Sequence, residues 1–450
     1  MIYRSTRGQA PELEFADVLL EGLARDGGLY VPDELPKLPA VAAFCATQAG
    51  LPDGYAAMAA EVMRPFVGDF PRFDELVAEA YATFDHPDVV PVVALDDELS
   101  LLELWHGPTL AFKDVALQLV GRLMDAELAR RGDRRTIIVA TSGDTGSAAI
   151  AACVGRPTLD IVVLHPAGRV SDVQRRQMTT VDEPNVHNLA VEGTFDDCQD
   201  LVKGLFADEV LRDELRLGAM NSINWGRVLA QIPYYLLVGS ADAVVPTGNF
   251  GNILAGWYAK HMAVPLGDLV IASNRNDILT RWVETGSLVA TEVVPTLSPA
   301  MDIQVSSNHE RLLFELLDRD GARTGELLGR FRALGSVEAP RSSEFRAARV
   351  DDRETLDVIG TVHERYGVLV DPHTAVGIGA AWKLRAGARG VCLSTAAPAK
   401  FPDAVEQATG IRPPLPDRLA DLLGRPERFA VMAPDLDEVA ACVRNLPAER

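Results

Sequence analysis

Short unbroken apolar runs recur through the middle of the chain, each followed by a stretch with helical spacing. Thr136-Ile137-Ile138-Val139-Ala140-Thr141, Leu159-Asp160-Ile161-Val162-Val163-Leu164, Ala243-Val244-Val245-Pro246 and Leu269-Val270-Ile271-Ala272 read as buried strands. Helices are predicted from about residue 114 to 131, over 147–154 and over 253–261. Strands that are apolar on both faces and alternate with helices predict parallel sheets covered by helices on either side. Two shorter runs, Val89-Val90-Pro91-Val92-Val93 and Leu99-Ser100-Leu101-Leu102, read as strands ahead of this pattern.

Upstream of about residue 92 the pattern differs. Residues 15–20 lead as a helix into Gly22, residues 26–32 are rich in chain breakers, and 56–67 is helical with Pro65 near its end. This predicts a mainly helical N-terminal domain over 1–92. One α/β lobe then spans 93–224, and a second spans 225–450 with a C-terminal tail. Residues 318–339, polar and rich in Arg and Gly, read as a surface segment. Pro413 to Pro416 marks a break before a tail of alternating charge. No internal repeat or low-complexity tract is evident.

At 450 residues the chain has room for one to three domains and a large core. A formal net charge of −21 argues against nucleic acid or an anionic membrane surface as partner. A monomer or small homo-oligomer is expected. Any anionic substrate must then be held by local basic groups and backbone amides. The five cysteines, Cys45, Cys153, Cys198, Cys392 and Cys442, form no C-x-x-C pair. That predicts a reducing cytoplasm rather than a disulfide framework or zinc site. The first residues, Met1 to Thr6, lack the apolar core of a secretory signal, and no run approaches a membrane span. None of the eight histidines has metal-ligand spacing, so no metal site is expected, and there is no G-x-S-x-G elbow.

The candidate chemistry starts at Lys113, the only lysine between Lys37 and Lys203, set in the apolar run Leu110-Ala111-Phe112-Lys113. A lysine among apolar neighbours has its charged form disfavoured and becomes a usable nucleophile, able to form a Schiff base with an aldehyde cofactor. Alternatively its head snorkels into water. Thr141-Ser142-Gly143-Asp144-Thr145-Gly146 lies between a strand and a helix, where exposed amides attract an anion such as a carboxylate. It could equally be a capping turn, with Ser142 or Asp144 as N-cap. Pro246-Thr247-Gly248-Asn249-Phe250-Gly251-Asn252 is a second strand–loop–helix unit suited to a phosphate, though Asn249 and Asn252 also fit Asx-turns. Ser171 and Gln174 have capping-box spacing, beside Arg169, Arg175 and Arg176, which are a local positive patch or ordinary solvated arginines. Cys392-Leu393-Ser394-Thr395 ends a strand in hydroxyls, which can accompany a pyridine nitrogen without protonating it; taken in isolation it reads first as a plain strand end.

Several of these stretches together resemble the threonine synthase family. They are His106-Gly107-Pro108-Thr109-Leu110-Ala111-Phe112-Lys113-Asp114, Ala140-Thr141-Ser142-Gly143-Asp144-Thr145-Gly146, residues 168–180, Asn221-Ser222-Ile223-Asn224-Trp225, residues 248–252, and Leu297-Ser298-Pro299-Ala300-Met301-Asp302-Ile303. The resemblance runs from the turn at residue 26 to Lys400, in the longer bacterial and fungal form. It implies a fold-type-II enzyme dependent on pyridoxal 5′-phosphate (PLP), with two open twisted, mostly parallel sheets, flanking helices and a mainly helical N-terminal domain. It implies conversion of O-phospho-L-homoserine and water to L-threonine and phosphate; a phospho-lyase releasing 2-oxobutyrate is the alternative. Carried over by motif, Lys113 is the Schiff-base lysine, and Gly248, Asn249, Phe250, Gly251 and Asn252 hold the cofactor phosphate. Thr395 faces the pyridine nitrogen. Ser142, Gly143, Asp144, Thr145 and Gly146 hold the substrate carboxylate, and Ser222, Asn224, Lys400 and the Arg175 region are candidates for the substrate phosphate. One departure is Ala397, where the family usually has histidine.

Overall fold

In the computed structural model, which describes residues 1–37, 54–141, 143–384 and 389–446, the apolar runs become the middle strands of two open sheets. The larger has the order Phe345–Arg349, Leu269–Ser273, Asp242–Pro246, Gly390–Ser394, Leu99–Glu103, Val92–Ala94, parallel except for its last pair. The other runs Ala430–Met432, Val186–Val191, Leu159–Pro166, Arg135–Ala140, Leu217–Gly218, parallel throughout. Leu159–Pro166 is buried at every position, as a strand covered on both faces must be. The helices Lys113–Arg131, Asp144–Cys153 and Gly251–His261 match the predicted ones, each reaching further toward the preceding loop. That extension places the loop residues of interest in first helical turns.

The N-terminal region carries a three-stranded antiparallel sheet, Leu13–Glu14, Ile2–Ser5 and Tyr30–Pro32, besides its helices. Strands this short show no readable period. The run at 89–93 is not one strand: Val89 sits at a left-handed φ of 62° and only Val92–Ala94 pairs. Residues 318–339 contain a surface helix, Gly321–Leu334, capped by Asp320 and ended by Gly335, then the strand Ser336–Glu338. Its sparse apolar positions hid the helix, since only Thr324 and Phe331 are buried.

Sheet membership also cuts across the boundary expected at 224/225. Leu99–Glu103 pairs with Gly390–Ser394 in the later lobe's sheet, and Ala430–Met432 returns to pair with Val186–Val191 in the earlier one. Parallel neighbours far apart in sequence leave no local trace of their pairing.

The Asn221–Trp225 motif is the joint to the N-terminal region. Trp225 is fully buried, and its indole donates to the Tyr3 hydroxyl at 3.1 Å. Asn224 caps the helix Trp225–Leu229 while its amide reaches the Leu19 carbonyl at 2.8 Å. Arg311, also fully buried, ties the Tyr30 and Ile223 carbonyls together at 3.0 and 2.6 Å. Burying side chains as large as Trp225 stabilises this joint by roughly 2–3 kcal/mol each.

At the other end Glu427 is clamped by Arg175 (2.8 and 3.1 Å), Arg176 (3.4 Å) and the Thr179 hydroxyl (2.7 Å). The Arg175 hydrogen bonds, against some cost of burial, hold its carboxyl down to about 2. A depressed carboxyl contributes stability that is present above its unfolded value of 4.5 and lost as pH falls toward 2. Glu427→Gln should therefore loosen the tail at neutral pH. Limited proteolysis at pH 7 should remove residues beyond Pro416 several-fold faster than in the parent protein. In the parent, hydrogen exchange along Ala430–Met432, corrected for intrinsic rate, should rise only on acidification through that window.

Candidate active site

The loop before Lys113 is held shut from within and from the opposite lobe. Leu110 takes a left-handed φ of 63°. The buried Asp114 carboxylate accepts the Thr109 amide and hydroxyl, both at 2.7 Å. The end of strand Gly390–Ser394 then zips onto the loop. Phe112 N–H donates to the Thr395 carbonyl at 2.8 Å, Ala397 N–H donates to the Leu110 carbonyl at 3.0 Å, and Ala111 bridges Ala396. Lys113 opens its helix with its side chain 11% exposed and its Nζ 3.6 Å from Asp144 Oδ2. Burial, with Lys400 and Arg227 adding to it and Asp144 opposing it, brings its amine down to about 8.

Ser142 lies outside the described residues. In the rest of that turn the N-cap position is Gly143, and the Thr141 hydroxyl accepts the amides of Gly143 and Gly146 at 2.9 and 3.0 Å. Gly143 has a φ of 146° and lies so close to Gln174 that a Cβ would stand 2.5 Å from its amide carbon. Asp144 is buried and accepts Lys400 Nζ at 2.8 Å and Gln174 Nε2 at 2.9 Å. Burial pushes its carboxyl up, but Lys400 and then Lys113 override this and hold it well below the usual carboxylate range. A charged carboxylate repels another, so the Asp144 side chain does not hold a substrate carboxylate. What this turn offers an anion is backbone, at the start of helix Asp144–Cys153.

The second glycine loop has the shape of a phosphate cradle. A Cβ on Gly248 would stand 2.6 Å from the Ala300 carbonyl oxygen, so only glycine fits. Phe250 turns the chain at a left-handed φ of 64°, and the 11-residue helix Gly251–His261 begins without a side-chain cap, leaving its first amides open. Asn252 accepts the Tyr234 and Tyr235 hydroxyls at 2.6 and 2.9 Å, while its buried Nδ2 has no partner among the described residues.

Sequence reasoning missed the braces of this loop. Ser306 donates to the Gly248 carbonyl, Ser307 to Asn249 Oδ1 at 3.3 Å, and Asn308 N–H to the Asn249 carbonyl at 3.1 Å. Polar residues before the helix His309–Leu316 signal only a helix start. Also missed was the support beneath Thr395. Its amide donates to the Thr374 hydroxyl at 3.3 Å, and Thr374 is bound in turn to Asp371 and to Ser394. Asp371 also meets His373 Nδ1 at 2.8 Å, and His373 Nε2 accepts the Ala300 amide at 3.2 Å. Through these residues the Leu297–Ile303 motif braces both the Gly248 turn and the Thr395 strand end. The Thr395 hydroxyl itself has no protein partner among the described residues.

Of the four candidates for a substrate phosphate, three are engaged elsewhere. Asn224 is a fully buried helix cap, Lys400 is fully buried against Asp144 and the Thr109 carbonyl, and Arg175 is held by Asp172 and Glu427. Ser222 remains, half-buried, with its hydroxyl 3.4 Å from Ser307 and thus beside the Asn249 loop.

Comparison with known proteins agrees with this geometry. The family model described as pyridoxal-phosphate dependent enzyme matches residues 93–393, threonine synthase N terminus matches 2–81, and threonine synthase, C-terminal, matches 374–443. The threonine synthase of Pseudomonas aeruginosa is 50% identical, with 98% of each chain covered. That of Schizosaccharomyces pombe is 43% identical over 90% of this chain and 89% of its own. Among solved structures, PLP-bound threonine synthase from Brucella melitensis superposes with a TM-score of 0.95 at 47% identity, covering 100% of both chains. Threonine synthase from yeast superposes with a TM-score of 0.91 at 37% identity, covering 99% of this chain and 98% of its own. The chain belongs to the threonine synthase family of pyridoxal-phosphate-dependent enzymes.

Proposed function

We propose that Lys113, the loop of Gly248, Asn249, Phe250, Gly251 and Asn252, and Thr395 form the PLP site through which this chain converts O-phospho-L-homoserine and water to L-threonine and phosphate. The observation that carries the reading is the combination of a largely buried lysine with a lowered pKa, an uncapped helix start that only glycine can shape, and a strand-end hydroxyl with no partner among the described residues, the last two joined through Thr374, Asp371, His373 and Ala300. When bound, PLP supplies an electron sink for negative charge at the substrate's Cα.

The chain's own groups do the rest. The open amides at Gly251 and Asn252 take the cofactor phosphate, and Asn252 Nδ2 gains a partner that it lacks among the described residues. Thr395, a neutral hydroxyl, meets the pyridine nitrogen without charging it. The backbone amides of Asp144 and Thr145, left open by the Thr141 hydroxyl, receive the substrate carboxylate. Lys113 removes the Cα proton and then one from Cβ. Phosphate leaves from Cγ, water adds at Cβ, and protons return at Cγ and Cα. Ser222 and Ser307, beside Asn249, are the proposed donors to the substrate phosphate. We place the enzyme in the cytoplasm, in keeping with the buried free thiols of Cys153, Cys198 and Cys392.

Product analysis tests the reading. Purified holoenzyme given phosphohomoserine should release threonine and phosphate in equal amounts; 2-oxobutyrate in place of threonine would make it a phospho-lyase. The cradle has its own test. Gly248→Ala forces a Cβ toward the Ala300 carbonyl and displaces the loop. Cofactor affinity, read by titrating the visible absorbance of resolved enzyme, should fall roughly tenfold or more, in line with about 1–3 kcal/mol for a forced overlap.

A further inference from the structure

Only six lysines occur in this chain, and two of them, Lys113 and Lys400, converge on one buried carboxylate. The contacts are unequal. Lys400 Nζ is 2.8 Å from Asp144 Oδ1, within hydrogen-bond distance, and Lys113 Nζ is 3.6 Å from Oδ2, beyond it. Lys400 is fully buried and its ammonium also donates to the Thr109 carbonyl at 2.8 Å. Thr109 is the residue that holds Asp114 and so shapes the loop carrying Lys113. Lys400 therefore pins together the loop, the Asp144 turn and the short helical turn Pro398–Lys400 that follows Thr395.

One carboxylate cannot neutralise two buried ammonium groups. The one with the hydrogen bonds keeps its proton at least cost, and the other is the one that releases it. From this geometry we propose that Lys400 and Asp144 are positioning residues for Lys113. Lys400 occupies the near oxygen of Asp144 and keeps the carboxylate from pairing fully with Lys113, so that Lys113 is the amine that loses its proton, while Asp144 fixes where that amine stands. The inference rests on Lys113 being the cofactor lysine. The remaining titratable and charged groups around the pair are Arg227 from helix Trp225–Leu229, Asp114 on the helix of Lys113, and His373 on the side of Asp144.

The signs follow from charge. Asp144 favours a proton on the Lys113 nitrogen, whether that nitrogen is free or joined to the cofactor, and Lys400 disfavours one. In resting holoenzyme the pH midpoint of the visible band reads that proton directly. Asp144→Asn, nearly isosteric, should move the midpoint down by about one unit or more, and Lys400→Met should move it up by a similar amount. The pH profile of kcat should move in the same directions. Unmoved midpoints in both variants would overturn the proposal, and a shift in Asp144→Asn with none in Lys400→Met would overturn it for Lys400. If Lys400→Met yields no folded protein, Asp144→Asn decides: a lowered midpoint supports the proposal and an unmoved one overturns it. Borohydride reduction of parent holoenzyme with peptide mass mapping separates the two layers. A label at Lys113 with unmoved midpoints defeats this inference alone; a label at Lys400 defeats the cofactor assignment with it.

Discussion

Lys113→Ala should lose turnover on phosphohomoserine by roughly 10³-fold or more, together with the borohydride-fixed cofactor adduct on the parent peptide. The size of the effect follows from where the amine sits. At a value of about 8, some tenth of the free amine is unprotonated at pH 7. An ordinary lysine near 10.5 would have roughly 300-fold less. On the proposed assignment, removing Lys113 deletes the base and the covalent anchor together. Among the described residues Lys400 is the other lysine close by, and it is locked to Asp144 and Thr109. The parent enzyme's kcat should rise with pH as Lys113 loses its proton and level off above about 8. Peptide mass mapping of the reduced adduct and a steady-state assay read both parts. Full activity in Lys113→Ala would remove the site assignment.

Phosphohomoserine should outrun homoserine by about 10²–10⁴-fold in kcat/KM. A site that pairs a phosphate leaves its donors unsatisfied when the phosphate is missing, at roughly 1–3 kcal/mol for each buried donor. With the half-buried Ser222 and Ser307 as the proposed donors, two losses of about 1.5–2.7 kcal/mol each give that range. The chain carries a formal net charge of −21, so its overall field opposes a substrate with both a carboxylate and a phosphate. Local donors must supply the whole attraction, and inorganic phosphate should compete with phosphohomoserine. Turnover measured side by side on phosphohomoserine, homoserine, serine and threonine tests this. Comparable rates on unphosphorylated serine or threonine would mean a dehydratase.

Local pattern alone determined the α/β class, the middle strands of both sheets and the two strand–glycine loop–helix units. These depend on contacts within a few residues. A strand buried on both faces must be apolar throughout, as Leu159–Pro166 is, and a backbone pressed against a carbonyl must be glycine, as at Gly248. The family was legible for a related reason, since Lys113 and the loop 248–252 sit in long ordered motifs. Only the tertiary structure decided which charges meet. Lys113, Asp144 and Lys400 are far apart in the chain, and nothing in their own neighbourhoods shows two lysines on one carboxylate. The same holds for Asn224, which the motif offered as a substrate contact. It is a helix cap for Gly226, and the Leu19 carbonyl, 205 residues away in the chain, takes its amide and leaves it buried. Burial and pairing are set by neighbours distant in sequence, and they determine whether a polar side chain is structural or free to act.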